Sequence, residues 1–328
     1  MAKEHTTFSV IVPAFNTSDY IDDALKSVLN QTYKNWEVII VDDGSTDNTW
    51  EKIQRWQPKL NERLIAVRRP FDVKHSASIA RNIAIHMASG EFVAFLDSDD
   101  IWVPEHLDRA LKSFRHYGKR VGLFCGLGQF MGKTSPNIVT GWPDDKPCRP
   151  ISNLLNQPLC PLPSVCIRKD LIQSLGGFNE TLKCYEDWWL YLLLSKRTDF
   201  IHYPKVTCFI RQRRESATTV GSRMSKAMYG DALKLYWLAK KSNEFIPQEL
   251  KILRSNLVDR YSKQLSDNAC AFRFGSVFWI ISGLLGSGLK GIALLAPIIS
   301  RGILDFLKRG LVKALSHTIL LFFLFLIR

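Results

Sequence analysis

Short apolar runs alternating with amphipathic stretches constrain this chain more than any other feature. Residues 8–12 read Phe8-Ser9-Val10-Ile11-Val12 and close at Pro13; further runs occupy 36–41, 64–67 and 92–96. Between the first two, Ile21, Leu25, Val28 and Leu29 recur at helical spacing behind Ser18 or Asp19 as a cap. Helical segments are also expected from 46 to 56, from 76 to 87 before Ser89-Gly90, and from Pro104 to Tyr117. Strands alternating with helices predict βαβ units, hence an α/β fold with a mostly parallel sheet and right-handed crossovers. Uninterrupted apolar runs fit strands covered on both faces. Ligands on such sheets sit beyond the carboxyl ends of the strands. Asp42-Asp43 and Asp97-Ser98-Asp99-Asp100 fall at two such ends.

Past residue 118 the pattern weakens. Residues 120–165, rich in Gly, Pro and Cys, show no regular period. A strand is expected over 165–172 with a turn at Gly176-Gly177-Phe178, then an apolar helix opened by Glu186-Asp187, then strands over 200–204 and 206–210. Residues 223–270 read as polar helix.

The net charge of +13 is unevenly placed: residues 211–328 hold 19 Lys and Arg against 7 Asp and Glu, so the rest is nearly neutral. Two uncharged runs, 274–289 and 314–327, fall short of the roughly 20 residues of a spanning helix. Between them, Ile303, Leu304, Phe306, Leu307, Leu311 and Val312 interleave with Arg301, Lys308, Arg309 and Lys313. That arrangement suits a helix lying on a membrane surface with cations toward lipid phosphates. Basic residues set among Leu, Ile and Phe favour lipid over nucleic acid, so no nucleic-acid partner is expected. The seven cysteines show no CxxC pair, which argues against a structural zinc site and for reduced thiols. No apolar leader precedes the first strand, so that domain is expected to stay on the cytoplasmic side.

Several residues can carry chemistry, each with an ordinary alternative. Three carboxylates in 97–100 repel one another unless solvated or bridged by a hard divalent cation. Asp42 and Asp43 can cap the following helix or accept from a base or ribose. Phe15 can stack on a nucleobase or simply pack. Arg81, on a face with Ala77, Ala80 and Ala84, can reach a base or phosphates or form a surface ion pair. Asp187 at a helix start can be a plain dipole contact. Arg211, Arg213 and Arg214 can hold a diphosphate or form a solvated face.

The order of four segments is more specific. Ser9-Val10-Ile11-Val12-Pro13-Ala14-Phe15-Asn16, Val41-Asp42-Asp43-Gly44-Ser45-Thr46-Asp47, Ala80-Arg81-Asn82 and the run from Gly90 to Asp100 resemble the family 2 glycosyltransferases. Glu186-Asp187-Trp188 resembles that family's Glu-Asp motif, and the likeness extends over about 8–215. The resemblance implies a GT-A, Rossmann-like fold with flanking helices. It divides the domain into a nucleotide-sugar half (1–118) and an acceptor-binding half (119–220), and the charge and apolar runs leave a helical membrane-associating tail (221–328). It also implies an inverting transferase using a nucleotide-diphosphate sugar, UDP-type by preference, with Mn2+ or Mg2+. By position, Pro13 would shape the pocket floor, Phe15 stack near the base, Asp43 bind it and Arg81 sit near the nucleotide. Asp97 would contact the ribose or the metal's water shell, Asp99 ligate the metal, and Asp187 act as general base. Polymerising relatives carry Gln-x-x-Arg-Trp where this chain reads Arg211-Gln212-Arg213-Arg214-Glu215-Ser216, which favours transfer of one sugar per encounter. The acceptor is then a glycan or lipid-linked hydroxyl at the cytoplasmic membrane face. A nucleotidyltransferase is the rival enzyme, although residues 13–20 lack its Gly-rich basic loop; an anchored, catalytically silent scaffold is the rival outside enzymes.

Overall fold

The core of the fold is the set of apolar runs just described, now seen as strands. Strand β1 (Phe8–Ala14) pairs in parallel with β2 (Trp36–Asp42), Phe8 opposite Trp36 and Ala14 opposite Asp42. β3 (Leu64–Arg68) adds in parallel to β2, and β4 (Phe92–Phe95) to the other edge of β1. Helices α1 (Ile21–Leu29), α2 (Thr49–Leu60) and α3 (Ala77–Met87) make the crossovers. Val10, Ile11 and Val12 are all fully buried, so both faces of β1 are covered and no polar alternation appears in its sequence. The computed structural model describes residues 7–131, 138–139, 146–212, 223–270, 297–298 and 300–301.

The remaining elements of this half are β5 (Ile101–Trp102), α4 (His106–Tyr117), β6 (Val121–Phe130), β7 (Ile138–Val139), α5 (Ile151–Leu154), β8 (Val165–Arg168), α6 (Lys169–Ser174), α7 (Glu186–Ser195) and β9 (Asp199–Ile210). The sheet order is β3-β2-β1-β4-β8-β6-β9-β5, with β7 on β6. β8 runs antiparallel to β4 and β6, β5 antiparallel to β9, and β6 and β9 are parallel. The mostly parallel sheet expected from sequence is therefore corrected to a mixed one. A parallel return needs a packed crossover of a dozen or more residues. Among the described residues the link from β6 to β8 holds the two-residue β7, the four-residue α5 and a 3-10 turn, with no packed crossover helix, and β8 comes back antiparallel.

Three boundaries also differ. The unread stretch after 120 contains β6, the second-longest strand, whose Gly and Cys content hides its period. A side chain at Gly126 would overlap Thr207 of β9, so glycine here marks close strand approach rather than a loop. The two strands expected over 200–210 are one, because a register shift between Cys125–His202 and Leu127–Val206 accommodates Pro204. The expected strand over 165–172 ends at Arg168 and becomes α6.

The chain divides into two compact units, Met1–Arg214 and Glu215–Arg328. In the second, α8 (Arg223–Lys241) and α9 (Pro247–Cys270) bury Leu233, Leu253, Leu257 and Tyr261. Ser262 Oγ donates to the Ile298 carbonyl (3.1 Å), holding that residue against α9. The apolar runs 274–289 and 314–327 lie outside the described residues. Among the described residues no helix is long and apolar enough to cross a membrane. Cys125, Cys148, Cys160, Cys166, Cys184 and Cys208 are free thiols.

Candidate active site

A crevice opens where β1 and β4 part. Their pairing ends at Ile11 opposite Phe95, with the Leu96 N–H donating to the Ile11 carbonyl (3.1 Å). Two residues on, Pro13 faces the same edge of β1 and has no N–H to leave unsatisfied there. Past the ends of β1 and β2 the backbone is knitted by side chains. Asn16, in the left-handed region at φ 50°, donates its N–H to Ser45 Oγ (3.0 Å) and accepts from the Thr46 N–H (2.9 Å). Asp42 is fully buried and accepts from both the N–H and the hydroxyl of Ser45.

Asp43 points the other way. Its buried carboxylate pairs with Arg69 and accepts the Ser76 N–H (2.6 Å). The Phe15 ring, 40% exposed, lies 4.3 Å from the His75 ring at a shallow tilt. Phe15, Asp43, Arg69 and His75 thus form one contact cluster. Arg69 and His75 are absent from the sequence reading; the signal for Arg69 is its place just past β3, on the same sheet edge as Asp43.

The acidic loop follows β4. The Asp100 N–H donates to the Asp97 carbonyl (3.0 Å), folding 97–100 into a turn. Arg211 braces that turn: its N–H donates to Asp100 Oδ1 (2.9 Å), its Nε to the Asp99 carbonyl (3.0 Å) and its Nη2 to Asp23 (3.2 Å). The structure therefore places Arg211 against the acidic loop. Arg213 and Arg214 lie outside the described residues.

Arg81 is neither on the surface nor part of a simple pair. Its guanidinium, 6% exposed, donates to Asp97 Oδ1 (2.8 Å) and to Glu186 Oε1 (2.9 Å). Burial acts to strip its proton, but the charges of Asp97, Glu186 and Asp187 outweigh burial and raise its pKa. One buried cation thereby joins the end of β4 to the start of α7. Glu186 enters the site by this contact.

Asp187 is shaped by opposing forces. Burial raises its pKa most, and the Glu186 charge raises it further. The Trp188 N–H (2.7 Å) and Arg81 pull it down, and Asp97 adds a further upward push. The result is a carboxyl pushed up to about 7 despite its place at a helix N-terminus. Tyr185 just before it is left-handed at φ 64°, a strained backbone for a bulky residue and a frequent mark of functional sites.

Among the described residues no three His, Cys, Asp or Glu side chains gather to hold a metal ion alone. Asp97 and Asp99 supply hard carboxylate oxygens, the donors that Mn2+ or Mg2+ prefer. The donor set fits an ion that completes its shell with phosphate oxygens brought by a substrate.

Comparison with known proteins shows what the chain is similar to. Residues 9–147 match the family model "Glycosyl transferase family 2". WfaP of Escherichia coli, named as a UDP-Glc:alpha-D-GlcNAc-diphosphoundecaprenol beta-1,3-glucosyltransferase, is 44% identical over 95 residues, 29% of this chain and 36% of that protein. The glycosyltransferase GlyG of Streptococcus pneumoniae serotype 4 is 40% identical over 93 residues, 28% of this chain and 30% of that protein. The matched segment thus spans about a third of these relatives. S. aureus TarS 1–349, solved in complex with UDP-GlcNAc, superposes with a TM-score of 0.65 at 20% identity, over 92% of this chain and 89% of that one. The mixed α/β fold matches the GT-A glycosyltransferases. This chain carries a glycosyl transferase family 2 domain over residues 9–147.

Proposed function

We propose that the chain is an inverting glycosyltransferase that moves one sugar from a UDP-sugar to a hydroxyl of a lipid-linked saccharide. The observation that carries this reading is Arg81, whose two carboxylate contacts bring the acidic turn and the Asp187 helix together. The relatives' printed substrates support the choice of donor and acceptor: UDP-glucose and a diphosphoundecaprenol-linked GlcNAc for WfaP, and bound UDP-GlcNAc for TarS.

In this reading the nucleobase lies on Phe15 and presents an N–H to Asp43, with Arg69 fixing that carboxylate. Asp97 and Asp99 would hold Mn2+ or Mg2+, which when bound neutralises the departing diphosphate. Asp187 takes the proton of the acceptor hydroxyl as its oxygen bonds to the anomeric carbon, while the bond to the diphosphate breaks on the opposite face. One displacement inverts the configuration. A base with a pKa near the working pH combines availability with proton affinity. The apolar runs 274–289 and 314–327, outside the described residues, would with the basic residues between them hold the enzyme at the cytoplasmic membrane face where such acceptors lie.

The test is transfer itself. With UDP-glucose, MnCl2 and a synthetic GlcNAc-diphospholipid, the protein should release UDP and form a disaccharide lipid. No turnover with any of UDP-glucose, UDP-GlcNAc or UDP-galactose would overturn the reading. The rate should rise with pH, about tenfold per unit, and level off above about 7, because only ionised Asp187 accepts a proton. A profile flat from pH 5.5 to 8 would remove Asp187 from the role. Stability moves the other way. The folded carboxyl holds its proton up to about 7 and the unfolded one only to about 3.8, so this contribution is full below 3.8 and lost as pH rises through 7.

A further inference from the structure

We infer that Asn82 is a positioning residue for Asp187: a pin between α3 and the loop that delivers the base, acting beside the Arg81 tie. The inference rests on the reading of Asp187 as base.

Asn82 follows Arg81 on α3, yet its side chain serves a segment 96 residues away. Its Oδ1 accepts the Phe178 N–H (2.8 Å) and its Nδ2 donates to the Phe178 carbonyl (2.9 Å). One amide thus satisfies both backbone groups of a single residue, as a neighbouring strand would. The same Nδ2 donates to Glu180 Oε1 (2.9 Å). The loop is built to allow this approach. Gly176 and Gly177 are left-handed, at φ 77° and 80°, and a Cβ on Gly177 would overlap the Asn82 amide. Phe178 is then buried edge-on against Phe95 of β4, ring centroids 5.4 Å apart.

From Phe178 the chain reaches Glu186 and Asp187 through residues that belong to neither helix nor strand. Leu182 and Cys184 are buried along the way, and α3 holds the two ends of the segment. Asn82 fixes the entrance at Phe178, and Arg81 fixes the exit at Glu186. Adjacent residues of one helix hold both ends of the loop that carries the base. The side-chain hydrogen bonds of Asn82 fall on residues 178–180 and none on Phe15 or Asp43, so its loss should move the base and spare the donor pocket. A base displaced by about 1 Å from attack geometry costs on the order of 100-fold in rate.

The experiment compares the full-length protein with Asn82→Ala, Glu180→Ala and Asp187→Asn, using UDP-glucose, MnCl2 and a GlcNAc-diphospholipid. Thermal melting verifies folding, and titration calorimetry measures UDP binding. For Asn82→Ala the expected kcat loss is about 30- to 100-fold, with the UDP Kd within about threefold. Glu180→Ala, which removes one of the three bonds, should lower kcat about threefold at unchanged Kd; it decides the matter if Asn82→Ala does not fold. Unaltered kcat in the folded variants, or kcat and UDP affinity lost in equal proportion, would overturn the positioning role. The Asp187→Asn control separates the two readings. If it transfers normally, the base assignment fails and the inference with it. If it is inactive while Asn82→Ala works at full rate, only the positioning role fails.

Discussion

Asp187→Asn is expected to lower the rate of sugar transfer by about 10³- to 10⁴-fold, the upper range of what a positioned general base supplies. The substitution is nearly isosteric. Its side-chain oxygen can still accept the Trp188 N–H, so the start of α7 should not move. Donor binding should stay within about threefold, because the residues proposed for nucleotide and diphosphate, Phe15, Asp43, Asp97 and Asp99, lie on other elements. Stability should be kept or improved at pH 8. There the native carboxylate carries a charge that burial and Glu186 both disfavour, and the amide carries none. Single-turnover transfer and UDP calorimetry check the two halves. Transfer at the native rate would contradict the assignment, and lost UDP binding would mean that the side chain belongs to the donor site.

Arg81→Met should damage both fold and function. The buried guanidinium stands between Asp97 and Glu186, and without it two carboxylates face each other with Asp187 close by. Removing one partner of a buried pair costs about 3–5 kcal/mol. Asp97 and Glu186 retain some solvent contact, at 33% and 16% exposure, so about 2–4 kcal/mol is expected here. Denaturant melts measure that loss. Arg81→Met combined with Glu186→Gln should recover part of the stability, since one of the opposed charges is gone, but little of the transfer, because the acidic turn and α7 remain untied. Full recovery of transfer in the double variant would show that Arg81 only offsets charge.

Much of the parallel half of the sheet is legible in the sequence for a physical reason. Its strands are covered on both faces, so their apolar runs are continuous, and each ends where the ligand edge begins. Asp43, Asp97 and Asp99 stand out because acidic residues at strand ends break those runs abruptly. The antiparallel half is less legible. β6 packs its glycines closely against side chains of neighbouring elements, Thr207 of β9 among them, and that demand for closeness looks like a loop in composition. The connections that assemble the site are not local at all. Arg81 finds Asp97 at a separation of 16 residues and Glu186 at 105, and Asn82 finds Phe178 at 96. A helix face lined by Ala80 and Ala84 shows where close packing occurs, but not which carboxylates await there. Arg69 and His75 remain hidden for the same reason, since their contacts with Asp43 and Phe15 exist only once β2 and β3 are side by side.

The stereochemistry of the product tests the central claim most directly. If Asp187 drives a single displacement, an α-linked UDP-sugar must yield a β-linked product. Proton NMR of the anomeric centre formed from UDP-α-glucose and the GlcNAc-diphospholipid should show the β configuration alone. An α-linked product would require a second displacement or front-face attack, and would contradict the mechanism built on Asp187 and the Arg81 tie.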